Sequence, residues 1–201
     1  MEPKSVDGWW GRAQRLVLPS HCLLCAQDGD GRRDLCRACA GDLVRNRLCC
    51  PRCALPLRAP APLCGECLLR EPPFDAAFAP FLYGHPIDLL VTKLKFGRSL
   101  AAGRVLSQLW LDAVAEDALS RTKATAAQSN LDAKARRRNL RGAFEFHAAA
   151  LSAAATHVTH VALVDDVMTT GATLRECARV LRRAGVVRVD VWALARAPRL
   201  R

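Results

Sequence analysis

The clearest hydrophobic pattern in the chain lies near its C-terminal end. Residues 161–164 are all apolar and lead directly into two neighbouring acids, Asp165 and Asp166. A short polar loop follows, and apolar residues then recur at helical spacing over residues 174–181. A continuous apolar run is typical of a parallel strand that is buried on both faces. The pattern therefore predicts a parallel strand, a tight loop and a helix in succession.

Three more elements are predicted upstream of this segment. Residues 76–83 carry the apolar anchors Phe78, Phe81 and Tyr83 and predict a strand, and residues 86–98 and 100–119 predict two helices. The first helix carries the apolar residues Leu89, Leu90 and Leu94, and the second is expected to have Val105, Leu109, Leu111 and Val114 on its inner side.

The stretch from residue 20 to residue 71 has little apolar periodicity and is dominated by cysteines and turn formers. Eight cysteines form four C-x2-C pairs, and each pair begins fourteen residues after the previous one. These are Cys22/Cys25, Cys36/Cys39, Cys50/Cys53 and Cys64/Cys67. Two such pairs supply the four thiolates of a closed structural zinc site, so the segment predicts two structural zinc ions. The equal spacing leaves sequential, crossed and nested pairings of the four C-x2-C pairs open. The alternative to zinc binding is redox activity of a C-x2-C pair.

Composition and charge narrow the class of protein. Hydrophobic residues make up 51% of the 201 residues, which is enough for a packed core. The N-terminus lacks the basic and apolar regions of a signal peptide, and residues 147–164 are too polar for a spanning helix, so we expect a cytoplasmic protein without a transmembrane span. The net charge of +11 favours an anionic partner, either a phosphorylated ligand or nucleic acid.

The loop after the acidic pair has the chemistry of a ribose phosphate site. Ligands of open α/β sheets bind at the carboxyl ends of strands, where Asp165 and Asp166 could accept hydrogen bonds from sugar hydroxyls. The loop of residues 169–173 offers threonine hydroxyls and backbone N–H groups at a helix N-terminus, which favours a phosphate. Gly171 allows close approach of the backbone. The alternative interpretation, without a ligand site, is an acidic strand end followed by a threonine that caps the helix.

This segment resembles the phosphoribosyl-pyrophosphate (PRPP) motif of type I phosphoribosyltransferases. The resemblance implies that Asp165 and Asp166 bind the ribose hydroxyls. It also implies that the loop binds the 5′-phosphate, through Thr169, Thr170, Gly171, Ala172 and Thr173. With the zinc pairs and the Leu-Lys-Phe-Gly-Arg turn at residues 94–98, the chain is similar to ComF-like proteins, a family linked to natural competence and DNA uptake.

The family resemblance also implies a fold and further site residues. It implies an α/β fold in which a type I phosphoribosyltransferase-like parallel sheet is flanked by helices and follows a small cysteine-rich double zinc ribbon. The predicted regions are a lead-in helix over residues 1–19, the zinc ribbons over 20–71 and the phosphoribosyltransferase-like domain over 72–201. The residues expected on the phosphate side or in a mobile loop are Lys95, Arg98, Arg121, Lys123, Gln128, Arg136 and Asn139.

The chain departs from the family pattern before residue 121. ComF-like proteins usually carry a strand, a proline turn and an Arg-Gly-Phe-Asn-Gln segment there, in the region that grips pyrophosphate. None of these can be read between residues 113 and 121, so the sheet is expected to lack one strand. Each preorganised donor lost from a leaving-group site typically costs about 3 kcal/mol of transition-state stabilisation. We therefore expect PRPP binding, with magnesium if the protein is active, but reduced or absent transferase activity.

The sequence leaves two other functions open. The zinc ribbons and the basic charge fit a module that binds single-stranded DNA or a protein of a DNA-uptake apparatus without catalysis. A regulatory protein that senses PRPP or a nucleotide without turnover is the other.

Overall fold

Parallel strands and helices make up the core of the described part of the chain. The computed structural model of the protein describes residues 20–31, 33–120 and 159–198. Its elements in chain order are α1 (Arg37–Gly41), α2 (Gly65–Leu69), β1 (Ala76–Phe78), β2 (Phe81–Leu82), α3 (Ile87–Lys95), α4 (Leu100–Ser120), β3 (His160–Met168), α5 (Ala172–Arg183) and β4 (Arg188–Arg196).

Strand β4 is the centre of the sheet, and all of its partners run parallel to it. Strand β3 pairs with it from His160 opposite Arg188 to Met168 opposite Arg196. On the other edge, β1 pairs with the first half of β4 and β2 with the second half. A parallel sheet with helices is the fold class that the sequence predicts, and the prediction is confirmed.

The predicted strand over residues 76–83 is divided into β1 and β2. Ala79 and Pro80 interrupt the pairing, since a proline has no backbone N–H for a sheet ladder. The carbonyl of Pro80 instead accepts a hydrogen bond of 2.8 Å from the backbone N–H of Asn46. The break therefore joins the strand to the segment that precedes the third C-x2-C pair.

The β3–α5–β4 unit places the predicted loop at one end of the sheet. Helix α5 buries Leu174, Ala178 and Leu181, and these residues share one core cluster with Val189 and Val191 of β4. Along β3, Val161 and Leu163 pack against the same cluster. Val164, which points to the opposite face, is 69% exposed.

Helices α3 and α4 lie where the sequence predicts them, with one error in the inward face. The buried residues of α4 include Ala102, Val105 and Leu109, which recur at helical spacing. Leu111 was expected on this face but is 59% exposed. Two residues beyond Leu109 correspond to about 200° of helical rotation, so Leu111 lies on the other side.

The described residues divide into two compact units, and the boundary falls between the second and third C-x2-C pairs. One unit ends at Val44 and resumes over Gly84–Ala115, whereas the other holds Arg45–Tyr83 and resumes at Glu116. The predicted domain limits at residues 19 and 71 stay a prediction, and the predicted lead-in helix over residues 1–19 lies outside the described residues. Within the described ranges, no helix has both the length and the apolar character needed to cross a membrane.

Candidate functional site

The eight paired cysteines form two separate four-sulfur clusters. The first cluster holds Cys22, Cys25, Cys36 and Cys39, and the second cluster holds Cys50, Cys53, Cys64 and Cys67. The pairing that the sequence left open is therefore sequential. Cys49, next to a ligand position, belongs to neither cluster.

The sulfur positions fit tetrahedral zinc. The four Sγ atoms of each cluster lie within 4.8 Å of one another. Across the C-x2-C pairs, Cys25 Sγ lies 3.7 Å from Cys36 Sγ, and Cys53 Sγ lies 3.5 Å from Cys64 Sγ. Tetrahedral zinc with Zn–S bonds of about 2.3 Å separates its sulfurs by about 3.8 Å. Both clusters are thus suited to structural zinc ions, which would hold the ribbon loops together.

The chemistry of the second cluster also calls for a cation. Hydrogen bonds from the thiols of Cys53, Cys64 and Cys67 lower the pKa of Cys50 and stabilise its thiolate. The interaction with that thiolate is in turn the main cause that raises the pKa of Cys67. Four buried sulfurs cannot all carry a negative charge without compensation, and a divalent metal supplies it.

The first and third C-x2-C pairs fold into the same tight turn. The N–H of Ala26 donates to the carbonyl of Cys22 at 2.9 Å, and the N–H of Ala54 donates to that of Cys50 at 2.7 Å. Both alanines have positive φ angles, 61° and 53°. The two turns give the ribbons one repeated backbone geometry.

One cysteine of the first cluster also caps a helix. Cys36 caps α1, and its Sγ accepts from the N–H of Cys39 at 3.4 Å. Burial opposes ionisation of the Cys22 thiol, but backbone N–H donors, that of Cys36 first among them, lower its pKa to about 6.

A small cleft lies at the junction of β3 and α5. It has a volume of about 90 Å³. Its lining residues within the described part of the chain come from this one strand–loop–helix segment: Asp165, Val167, Met168, Thr169, Thr170, Gly171, Ala172, Thr173 and Leu174. The structure thus brings together Asp165 and the whole predicted loop, while Asp166 is not among the lining residues.

The two acids differ because neighbouring residues of a strand point to opposite faces. Asp165 follows Val161 and Leu163 on the face that packs against the core, whereas Asp166 follows the exposed Val164. Both carboxylates are half-buried and accept local backbone N–H groups. The N–H of Asp166 donates to Asp165 Oδ1 at 2.9 Å, and the N–H of Val167 donates to Asp166 Oδ1 at 2.6 Å.

The turn into α5 depends on Gly171. This residue caps the helix with φ 66° and ψ 19°, in the left-handed region that favours glycine. A Cβ added here would lie 2.7 Å from Met168 Cε, inside the loop. Beside it, Thr170 Oγ1 accepts from the N–H of Ala172 at 3.4 Å. That contact occupies the N–H of the first residue of α5, and the residues that open the helix line the cleft, where its N-terminus favours an anion.

The sequence interpretation missed Arg196, which ends β4 beneath this loop. Its side chain is buried, with 4% of the residue exposed, and donates to the backbone carbonyls of Cys53, Met168, Thr169 and Ala197. Burial lowers the pKa of its guanidinium, and the nearby Cys53, Cys64 and Cys67 thiols oppose that change. An arginine that ends a nearly continuous apolar run was the signal available in the sequence.

The remaining predicted site residues do not join the cleft in the described structure. Lys95 is the last residue of α3, and Arg98 lies in the following turn with φ 51°, both in the other compact unit. Arg121, Lys123, Gln128, Arg136 and Asn139 lie outside the described residues.

Comparison with known proteins gives related chains of similar extent. A family model described as a double zinc ribbon domain matches residues 13–68. The chain is 29% identical to DNA utilization protein YhgH of Escherichia coli O157:H7, with 90% of this chain and 99% of the relative covered. It is 28% identical to the protein of the same name from Salmonella typhimurium, with the same coverage. It is 30% identical to competence protein F of Haemophilus influenzae, with 81% of this chain and 96% of that protein covered.

The aligned length shows that this chain is shorter than its relatives in some region. The alignment with the YhgH proteins extends over 230 residues, which exceeds the 201 residues of this chain. The relatives therefore contain residues that have no counterpart here. No solved structure matches the chain.

Proposed function

Since this chain belongs to the ComF-like competence protein family, we propose that its β3–α5 cleft binds the ribose 5-phosphate part of PRPP or a related ligand. The observation that carries the proposal is the cleft itself, which combines one carboxylate with a threonine-rich loop at a helix N-terminus. The proposed role is in competence or DNA utilisation, as the names of its relatives suggest.

The geometry supports a phosphate in the loop and a sugar beside the strand end. The backbone N–H groups that open the twelve-residue helix α5 carry the positive end of the helix dipole. Hydroxyls of Thr169, Thr170 and Thr173 line the same space and can donate to phosphate oxygens. The Asp165 carboxylate at the cleft edge can accept from a ribose hydroxyl, and Asp166 is a secondary candidate for the same role.

We propose that any transferase activity of the protein is weak or absent. A cleft of about 90 Å³ is far below the roughly 300 Å³ at which sites for larger ligands begin. The loop that would hold pyrophosphate in an active enzyme has no equivalent among the lining residues that lie in the described ranges. The greater aligned length of the relatives is consistent with a shortened middle in this chain.

A ligand series tests this proposal directly. We expect calorimetry to show that ribose 5-phosphate and PRPP with Mg²⁺ bind with affinities within about tenfold of each other, because the pyrophosphate adds few contacts. Inorganic pyrophosphate alone should not compete. No pyrophosphate should be released from PRPP with any nucleobase or amine acceptor. Steady turnover would overturn the weak-activity part, and the absence of binding by either sugar phosphate would overturn the site.

Substitutions at the acidic pair sharpen the test. Asp165→Asn should weaken ribose 5-phosphate binding by about tenfold through loss of a charged acceptor. Asp166→Asn should have a smaller effect, because this residue does not line the cleft. Asp30→Asn, an exposed acid in the first ribbon, is the matched control and should leave the affinity unchanged. Equal affinities for all three variants and the wild type would show that the ligand binds elsewhere.

A second candidate function is single-stranded DNA binding, and one residue favours it. Phe96, just after α3, is 81% exposed and is the exposed aromatic residue of the described chain. Lys93 and Lys95 occupy the last turn of α3, and Arg98 lies two residues after Phe96. An exposed ring among cations can stack on a base while the cations contact phosphates.

Fluorescence anisotropy with a labelled single strand tests this candidate at two salt concentrations. Phe96→Leu should reduce affinity by about tenfold at both concentrations, since stacking is worth about 1–3 kcal/mol per base. Lys93→Gln should instead reduce the salt dependence. Leu100→Ala removes an exposed apolar side chain without a π face and should have no effect. If the wild type does not bind at low salt, this function is excluded.

A further inference from the structure

Arg196 connects two parts of the chain that are far apart in sequence. Its Nε donates to the carbonyl of Cys53, a ligand of the second cluster, at 3.0 Å. Its Nη1 donates to the carbonyl of Met168 at 2.8 Å and also to that of Thr169, the first residue of the cleft loop. One planar guanidinium therefore joins the third C-x2-C pair to the cleft loop of residues 169–173.

Burial makes this connection stiff. The residue is 4% exposed, and a buried guanidinium must keep its acceptors because each unsatisfied donor is costly. A zinc ion held by the four thiolates would carry a formal charge of −2 and would compensate the charge of Arg196. Hydrogen bonds therefore join the two segments, and that charge would strengthen the connection.

The hydrogen bonds also set the direction of the loop N–H groups. In a planar trans peptide the C=O and N–H bonds point in opposite directions. The carbonyl of Met168 shares its peptide unit with the N–H of Thr169, and the carbonyl of Thr169 shares one with the N–H of Thr170. Because Arg196 donates to both carbonyls, both N–H groups point away from it, and the two threonines line the cleft. The Met168 carbonyl also accepts from the N–H of Ala197 at 3.1 Å.

We propose that Arg196 is the positioning residue of the cleft loop and couples it to the second zinc cluster. The ligand part of this inference rests on the proposed function, whereas the anchoring part concerns the loop alone. Metal bound at Cys50, Cys53, Cys64 and Cys67 would then be a structural component of the ligand site as well as of the ribbon.

Hydrogen exchange without ligand tests the anchoring part. In zinc-loaded protein, Arg196→Met should raise the exchange rates of the hydrogen-bonded amides at the loop, those of Ala172 and Ala197, by roughly tenfold, since each carbonyl loses a donor. Arg196→Lys keeps the charge but not the fork and should give an intermediate increase. Arg183→Met, an exposed arginine on α5, is the matched control. Unchanged loop exchange in a folded Arg196 variant would overturn the anchoring.

Cobalt spectroscopy tests the coupling part. Co²⁺ in place of zinc has absorption bands that report the geometry of its thiolates. Titration of wild-type cobalt protein with ribose 5-phosphate should shift the bands of the second cluster, and this shift should be lost in Arg196→Met and partly kept in Arg196→Lys. A residue with a merely structural role would not transmit such a shift. Affinity for ribose 5-phosphate should fall by about tenfold in Arg196→Met.

The outcomes separate the two proposals. If the wild type binds no sugar phosphate, the proposed function fails, while the exchange rates still decide whether Arg196 anchors the loop. If calorimetry shows binding but the cobalt bands do not change, the coupling is wrong. Should neither Arg196 variant fold, this wild-type titration decides the question.

Discussion

The two zinc clusters use the same ligand set in very different surroundings. All four cysteines of the second cluster are buried, and they share one hydrophobic core with Phe74, Val189 and Val191. In the first cluster only Cys22 is buried, and Cys25 is exposed. A metal at the first cluster would therefore hold an exposed loop, whereas the second cluster is part of the core beneath the sheet.

This difference shows that a metal motif does not define its own structural role. Each ribbon has too little apolar material for a core of its own, so the metal provides its closure. The second cluster adds to this the packing against β1, β4 and α5, and its loss would open a cavity under the sheet.

The largest effect is expected for ligand substitutions in the two clusters. Cys53→Ser should remove one zinc per chain and destabilise the sheet unit by about 5 kcal/mol, because metal binding and core packing are lost together. Cys25→Ser should also remove one zinc but leave the sheet unit folded. Metal analysis and denaturant unfolding followed by the fluorescence of Trp192 would measure both effects. Equal destabilisation by the two variants would contradict the comparison.

Zinc release should occur in two steps of different rate. A chelator should remove zinc from the first cluster, where Cys25 is exposed, at least about tenfold faster than it removes zinc from the second cluster. Alkylation followed by mass spectrometry identifies which cysteines become reactive first. Simultaneous alkylation of both sets would show that burial does not protect the second cluster.

A smaller effect is expected for the ion pair that ties the segment after the second cluster to α5. Asp75 accepts from Arg182 and, at 2.8 Å, from the N–H of Val189. Burial opposes ionisation, but these two donors outweigh it and lower the pKa of Asp75. Asp75→Asn should therefore cost about 2 kcal/mol in the free energy of unfolding at neutral pH.

The pH dependence of this effect follows from the direction of the shift. A carboxyl group with a lowered pKa in the folded state stabilises that state above its unfolded pKa of about 3.9, and the contribution is lost as the pH falls through the folded value. The difference between wild type and Asp75→Asn should thus stay constant from about pH 5 to pH 8. Urea unfolding across that range checks it, and a difference that vanishes near pH 5 would refute the assigned shift.

The smallest effect is expected beside the first cluster. Arg33, between its two cysteine pairs, contacts Asp112 of α4 at 2.7 Å, and the carboxylate is half exposed. Exposed ion pairs contribute less than about 1 kcal/mol. Asp112→Ala should lower the free energy of unfolding by no more than this, and the loss should shrink in high salt. A loss as large as that of Asp75→Asn would mean that the first cluster is more firmly attached than its exposure implies.

Local features of the fold were predictable from sequence because they depend on residues close in the chain. The C-x2-C spacing indicated two zinc sites, and the apolar periodicity gave α3, α4, β3 and α5 close to their observed bounds. The inward position of Leu111 was wrong because its helical phase was misjudged. The break at Pro80 was missed because aromatic anchors on both sides suggested one continuous strand.

The candidate site was predictable in its loop and not in its support. Residues 169–173 could be assigned from their own chemistry, and the structure places them around one cleft with Asp165. The central strand β4 and its last residue, Arg196, were missed because an apolar run does not reveal its partners. The burial of Arg196 depends on the carbonyls of Cys53, Met168 and Thr169, which come together only after the chain has folded.

By itself, the sequence determined the eight cysteines expected to bind zinc, the order of strand, loop and helix at the cleft, and the basic charge. These follow from spacing, periodicity and composition, which act over short distances along the chain. Tertiary structure alone decided which cysteine pairs share a metal, which cluster enters the core, which acid lines the cleft and which buried cation supports the loop. Those properties depend on contacts between residues up to 143 positions apart, and only the packing of the sheet brings such residues together.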